Sequence, residues 1–178
     1  ETDINVMLFN NRIYGLTKGQ YSPTSEQGKV TYSTPMGSLD YPFKPTQLVL
    51  GAQGSFVAKT IDKELKHLQS MIRRANDHNG TSFIEIYQNC NIFNDGAFGT
   101  LTDRDTKADK LLYLENGEPM IFGNDKDKGI ILEGAKPKVV KIGKKYKVED
   151  ILVHEENDTL LSLIHISEPT RPSRISYS

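Results

Sequence analysis

Two stretches of this chain concentrate groups able to do chemistry. The first is FNNRIYGLTKGQYSPTS, from Phe9 to Ser25, where a strand-like run breaks into two asparagines and then a loop bearing Gly, Thr and Lys. An Asn side chain offers a neutral oxygen. In a tight turn the backbone carbonyl two residues later faces the same way. Asn11 and the Ile13 carbonyl, so placed, supply two of the six oxygens that Mg²⁺ takes, and a diphosphate, a carboxylate or water can supply others. Gly15, Thr17 and Gly19 let backbone N–H groups approach phosphate oxygens closely. On these residues alone, two asparagines after a strand are more often an ordinary turn. The second stretch is TSFIEIYQNCNIFNDGAF, from Thr81 to Phe98, which holds the single cysteine, Cys90. Its thiolate is a metal ligand in principle. A lone cysteine is more often a small buried hydrophobe, and alone it builds no metal site.

The elements around these stretches say how they are positioned. Both loops leave the carboxyl ends of predicted strands, the edge at which open α/β sheets bind ligands. Ile4 to Phe9 reads as a buried parallel strand. Residues 10–44 have no clear period and are rich in Gly, Ser, Thr and Pro, a length more typical of a functional loop than of a passive one. Pro45 opens a helix that Gly51 or Gly54 closes. Ser55 to Ile61 reads as a strand, with Asp62 as the N-cap of the helix that follows. In that helix Leu65, Leu68, Ile72 and Ala75 form one apolar face, and Asn79-Gly80 ends it. Thr81 to Tyr87 is the next strand. Strand, helix, strand, helix, strand makes an α/β layer with a parallel sheet. From Lys107 to Asp158 the short runs LLYL, MIF, IIL and VVKI, separated by turns, predict a β-meander or hairpin extension.

Composition bounds the rest. The 178 residues are 37% hydrophobic and 25% charged, with a net charge of −1. That charge argues against a nucleic-acid partner held by bulk positive potential. No apolar run approaches the ~18 residues of a membrane span, so no membrane partner is expected. One cysteine excludes an internal disulfide framework and fits a reducing, cytoplasmic setting. The chain opens on Glu1, almost directly into a strand, which would leave a sheet edge exposed to aggregation. Near the other end, LSLIHISEPTR (Leu161 to Arg171) resembles the translation of a sequencing-library adapter. The expectation is a gene fragment cut at both ends, divided into an α/β part at 1–100, a β-rich extension at 101–158 and a non-native tail at 159–178.

The whole string carries a stronger signal than its parts. FNNRIYGLTKGQYSPTS, then STPMGSLDYPF, then TSFIEIYQNCNIFNDGAF closely resembles the β subunit of the 2-oxoacid:ferredoxin oxidoreductases, from Ile4 to about Asp158. The resemblance implies the thiamine diphosphate-binding fold. It also implies thiamine diphosphate, Mg²⁺ and a [4Fe–4S] cluster as cofactors. It casts Asn11 and the Ile13 carbonyl as Mg²⁺ ligands, and Tyr14, Gly15, Leu16 and Thr17 as the segment lying against the cofactor. Leu16 would be the bulky apolar residue that keeps the cofactor bent. Lys18 would lie near the reacting centre and meet the substrate carboxylate, a solvent-facing lysine being the equal alternative. Cys90 would be the fourth cysteine ligand of the cluster. The other half of the Mg²⁺ motif, Gly-Asp-Gly, and the three other cluster cysteines do not occur in this chain.

The implied reaction is oxidative decarboxylation of a 2-oxoacid, 2-oxoglutarate or pyruvate, to an acyl-coenzyme A and CO₂, with electrons passed through the cluster to ferredoxin. The implied partners are the α subunit of the same enzyme, ferredoxin, the 2-oxoacid and coenzyme A. The KGQYSPTS segment favours 2-oxoglutarate or a broad 2-oxoacid range. Two rivals stand beside this reading. One is a cluster-free thiamine-dependent decarboxylase or transketolase-like enzyme. The other is a non-catalytic α/β binding module.

Overall fold

The computed structural model describes residues 2–134 and 136–158. The tail expected at 159–178 lies outside the described residues. The described residues form two compact units, one within Glu1–Val49 and Gly54–Gly99, the other within Leu50–Gln53 and Thr100–Ser178. Among the described residues no helix is long and apolar enough to cross a membrane.

The first unit is a three-stranded parallel sheet. In chain order its elements are β1 (Ile4–Asn10), α1 (Pro45–Gly51), β2 (Phe56–Ile61), α2 (Leu65–Asp77) and β3 (Thr81–Tyr87). β3 lies between β1 and β2. Asn10 and Ile61 both stand opposite Tyr87, so the three strands end level at their carboxyl edge. Side chains alternate between faces along a strand. One face presents Ala58, Ile84 and Ile86 to Met71 and Ala75 of α2, with Leu68 and Ile72 completing that core. The other face mixes the apolar Val57, Ile61 and Phe83 with a polar cluster at its carboxyl end, where Glu85 and Tyr87 of β3, Lys59 of β2 and Asn10 of β1 stand together.

That polar cluster is built around a buried carboxylate. Glu85 is 1% exposed on the central strand. Its Oε2 lies 3.0 Å from Lys59 Nζ, and its Oε1 accepts a 2.7 Å hydrogen bond from Asn10 Nδ2. Lys59 also donates to the Tyr87 hydroxyl at 3.2 Å. Burial pushes the Lys59 ammonium toward its neutral form, but Tyr87 and Glu85 outweigh it and hold the pKa above its ordinary 10.5.

Several local expectations are corrected. β1 is an edge strand rather than a buried one, because it pairs only with β3 while α2 packs on β2 and β3. Met7 and Phe9 therefore stand 40% and 58% exposed. Asp62 does not cap α2, whose N-cap position is Glu64. Its carboxylate instead accepts the Asn89 backbone N–H at 3.3 Å. Leu65, in the first turn of α2, is exposed, and the buried face centres on Met71 and Ala75.

The second unit continues with α3 (Gly99–Thr102), α4 (Arg104–Lys107), β4 (Ile121–Phe122), β5 (Lys128–Glu133) and β6 (Lys136–Lys141). β4, β5 and β6 form an antiparallel sheet in that order. MIF, IIL and VVKI fall on these strands, but LLYL does not form one. Leu111, Leu112 and Leu114 are buried in irregular chain, the last two packing against Met120, Ile130, Val140 and Ile151. Gly129 leaves room for Ile151, whose Cδ1 would stand 2.4 Å from an added Cβ.

Removing one partner of a buried ion pair leaves an uncompensated charge, at a cost of about 3–5 kcal/mol. Lys59→Met is therefore expected to destabilise the chain by about 3 kcal/mol in chemical denaturation at pH 7. A loss under about 0.5 kcal/mol, the scale of a neutral surface change, would contradict the assignment. The sign of the pH dependence follows from a lysine pKa raised on folding. The pair's contribution is complete below the unfolded value of 10.5 and is lost as pH rises through the higher folded value.

Candidate functional site

The loop that leaves β1 is organised by its two asparagines in different ways. Asn10 is buried and faces inward. Its Nδ2 is bound to Glu85, while its Oδ1 accepts the Arg12 N–H at 3.1 Å and the Thr24 hydroxyl at 2.7 Å. Its own carbonyl accepts the Gln88 N–H at 3.1 Å. Asn11 makes a side-chain turn of its own, its Oδ1 accepting the Ile13 N–H at 3.1 Å. A carbonyl-type oxygen has two lone pairs, so one remains on Asn11 Oδ1. Among the described residues the Ile13 carbonyl accepts no hydrogen bond, and the N–H groups of Gly15, Leu16 and Thr17 donate none.

Arg12, between the two candidate ligands, holds a left-handed backbone with φ 56°. Such a conformation costs a non-glycine residue about 1–2 kcal/mol. Arg12 Nη2 donates to the Tyr87 hydroxyl at 3.1 Å. Its guanidinium lies 4.9 Å from the Tyr87 ring centre and 5.0 Å from that of Phe98. The two rings stack on each other at 4.5 Å. Cation–π attraction and this hydrogen bond oppose the backbone strain.

The Cys90 loop packs directly on this one. Asn94, buried, donates from Nδ2 to the Asn11 carbonyl at 2.9 Å and to the Arg12 carbonyl at 3.4 Å. The Phe93 ring covers the neighbouring turn: a Cβ on Gly19, where φ is 94°, would stand 3.0 Å from it. Gly19 is thus required both by its backbone angle and by this ring. Cys90 is partly exposed. Backbone N–H groups of Phe93, then Ile92 and Asn94, hold its thiol below the usual range, against burial and the Asp95 charge. N–H groups aimed at sulfur favour the thiolate, the form that binds metal.

The structure thus brings Asn11, Ile13, Tyr14, Gly15 and Cys90 onto two touching loops. Leu16 is fully exposed at the loop tip, with Tyr14, Thr17 and Lys18 also exposed. The expectation for Gly19 changes: its N–H is spent on the Tyr14 carbonyl at 3.0 Å, and that of Lys18 on the Gly15 carbonyl. The free donors are Gly15 to Thr17. Sequence reasoning missed Glu85, Arg12, Phe93 and Asn94. Of these only Glu85 left a signal, a single charge inside the apolar run TSFIEIY.

The donor set can be matched to the implied cofactors. Two neutral oxygens beside three free N–H groups suit a hard cation and a diphosphate. A [4Fe–4S] cluster takes four thiolates, and this chain carries one. Among the described residues no group of three or more His, Cys, Asp or Glu is placed to hold a metal ion. These residues therefore fit Mg²⁺ with a diphosphate but do not by themselves hold a cluster.

Comparison with known proteins adds the family. Residues 1–86 match the thiamine pyrophosphate enzyme family, C-terminal TPP binding domain. Over 153 residues the chain is 44% identical to the 2-oxoglutarate oxidoreductase subunit KorB of Mycobacterium tuberculosis, a match covering 86% of this chain and 40% of that protein. Over 93 residues it is 38% identical to the 2-oxoacid:ferredoxin oxidoreductase subunit beta of Saccharolobus solfataricus, covering 52% of this chain and 30% of that one. A solved 2-oxoglutarate:ferredoxin oxidoreductase from Magnetococcus marinus, with 2-oxoglutarate, coenzyme A and succinyl-CoA bound, superposes with a TM-score of 0.53 at 32% identity. That match covers 61% of this chain and 36% of the other. The chain spans 30% to 40% of the length of these relatives. In sequence and in fold it is similar to the β subunits of the 2-oxoacid:ferredoxin oxidoreductases, with the α/β frame of a thiamine pyrophosphate-binding domain.

Proposed function

We propose that this chain is the segment of such a β subunit that holds the Mg²⁺–diphosphate end of thiamine diphosphate, in an enzyme that decarboxylates a 2-oxoacid oxidatively to an acyl-coenzyme A. The observation that carries this reading is the Asn11 turn. It stands at the carboxyl edge of a parallel sheet, with Asn11 Oδ1 and the Ile13 carbonyl available as ligands and the N–H groups of Gly15, Leu16 and Thr17 free for phosphate oxygens. The relatives' names favour 2-oxoglutarate as substrate over pyruvate. They also favour ferredoxin as the electron acceptor and a companion subunit, which we take to be the α subunit.

Bound thiamine diphosphate supplies the electron sink that decarboxylation of a 2-oxoacid requires. The protein's own residues hold and orient. Asn11 and Ile13 fix the metal, and the Gly15–Thr17 segment meets the diphosphate. Tyr14 and Leu16, both exposed, would offer the cofactor apolar contact. Lys18 offers its ammonium to the substrate carboxylate. Cys90 contributes one thiolate to a cluster whose other ligands lie outside this chain's residues.

Two measurements test the reading in the complete enzyme. Asn11→Ala removes a metal ligand and is expected to weaken Mg²⁺-dependent binding of thiamine diphosphate at least ~10-fold by calorimetry. An unchanged affinity with only a small loss of thermal stability would favour the non-catalytic binding module. Cys90→Ser is expected to lower iron content and ferredoxin reduction together. Unaltered iron and turnover would favour the cluster-free enzyme.

A further inference from the structure

The backbone carbonyls around the Asn11 turn are accounted for one by one. Asn10 O is taken by Gln88 and Asn11 O by Asn94. Arg12 O is taken by the Ser25 hydroxyl at 2.6 Å and, more distantly, by Asn94. What remains for a cation is Asn11 Oδ1 and the Ile13 carbonyl. Two of the three occupied carbonyls are held by one side chain.

We propose that Asn94 is a positioning residue for metal binding at this turn, a role that rests on the function proposed above. Asn94 is 5% exposed, and both ends of its amide are committed. Nδ2 clamps the peptide planes on either side of Arg12, the residue with the left-handed backbone. Oδ1 is fixed from behind by the Lys29 ammonium. Glu26 pairs with Lys29 at 3.1 Å, so this support brings no net positive charge toward a bound cation. The amide orientation is not free to flip, because Lys29 can only donate and the two carbonyls can only accept. Releasing the clamp frees the Asn11 carbonyl to rotate and leaves the Arg12 carbonyl to Ser25 alone, so the two ligand oxygens are held less firmly in place. Outer partners of this kind typically govern metal affinity by 10–100-fold.

The test is a Mg²⁺ titration of thiamine diphosphate binding by calorimetry, in the complete enzyme, comparing wild type with Asn94→Asp. This variant keeps the shape and the Lys29 contact but replaces the donor by an acceptor. The expected result, read below the melting temperature of both proteins, is a 10–100-fold rise in half-saturating Mg²⁺ with full binding restored at excess Mg²⁺. Where Asn94→Asp does not assemble, Asn94→Ala reads the same loss without an added charge. An unchanged Mg²⁺ requirement overturns the proposal. So does a loss that excess Mg²⁺ does not restore and that tracks a lowered melting temperature, because it marks a purely structural residue. Wild type that binds no thiamine diphosphate at any Mg²⁺ concentration refutes the underlying function instead, and the Asn94 role falls with it.

Discussion

The site depends on one buried carboxylate. Glu85 sits on the middle strand of a parallel sheet, where an unpaired charge would be prohibitively costly. Lys59 on one neighbouring strand and Asn10 on the other satisfy it. Because Asn10 is the last residue of β1, the bond that satisfies Glu85 also fixes where that strand ends. The next residue, Asn11, begins its turn from a fixed point. The polar cluster on the sheet therefore does two tasks: it closes an electrostatic account inside the strands and it aims the loop that leaves them.

A second layer of contacts converts two loops into one unit. Asn94 reaches from the Cys90 loop to the carbonyls of the Asn11 turn, Phe93 lies over Gly19, and Arg12 reaches back to Tyr87 and Phe98. The same short segment places its Phe93 ring and Asn94 amide on the Asn11 turn, while its backbone N–H groups hold the Cys90 thiol below its usual range. Cys90 and the candidate cation turn are thus held by one piece of chain.

How far the sequence alone carried this picture depended on whether a signal was local. The parallel strands and α2 follow from periodicity, and their ends follow from Asn79-Gly80 and from the paired asparagines. The different roles of Asn10 and Asn11 did not follow from spacing. Only the Glu85 carboxylate, far along the chain, decides which asparagine turns inward. β1 is as apolar as a buried strand, yet it lies at an edge in this chain, since an apolar run reports what a strand can bury and not what covers it. LLYL has strand-like residues but packs as irregular chain, its leucines buried without a ladder. Asn94 was invisible because the carbonyls its Nδ2 binds leave no trace in residue type, and Lys29, which binds its Oδ1, lies 65 residues away in sequence. The glycines were read as making room for phosphate. Gly19 in fact makes room for Phe93.

The central claim is that Asn11 Oδ1 and the Ile13 carbonyl form one side of a cation site at the carboxyl edge of the sheet. Mn²⁺ scatters anomalously and substitutes for Mg²⁺, so crystals of the complete enzyme grown with Mn²⁺ and thiamine diphosphate test this directly. The account predicts a single anomalous peak about 2.1 Å from both oxygens, close to octahedral Mg²⁺ ligand distances. A peak bound elsewhere, or none at this turn while the diphosphate is in place, would contradict it.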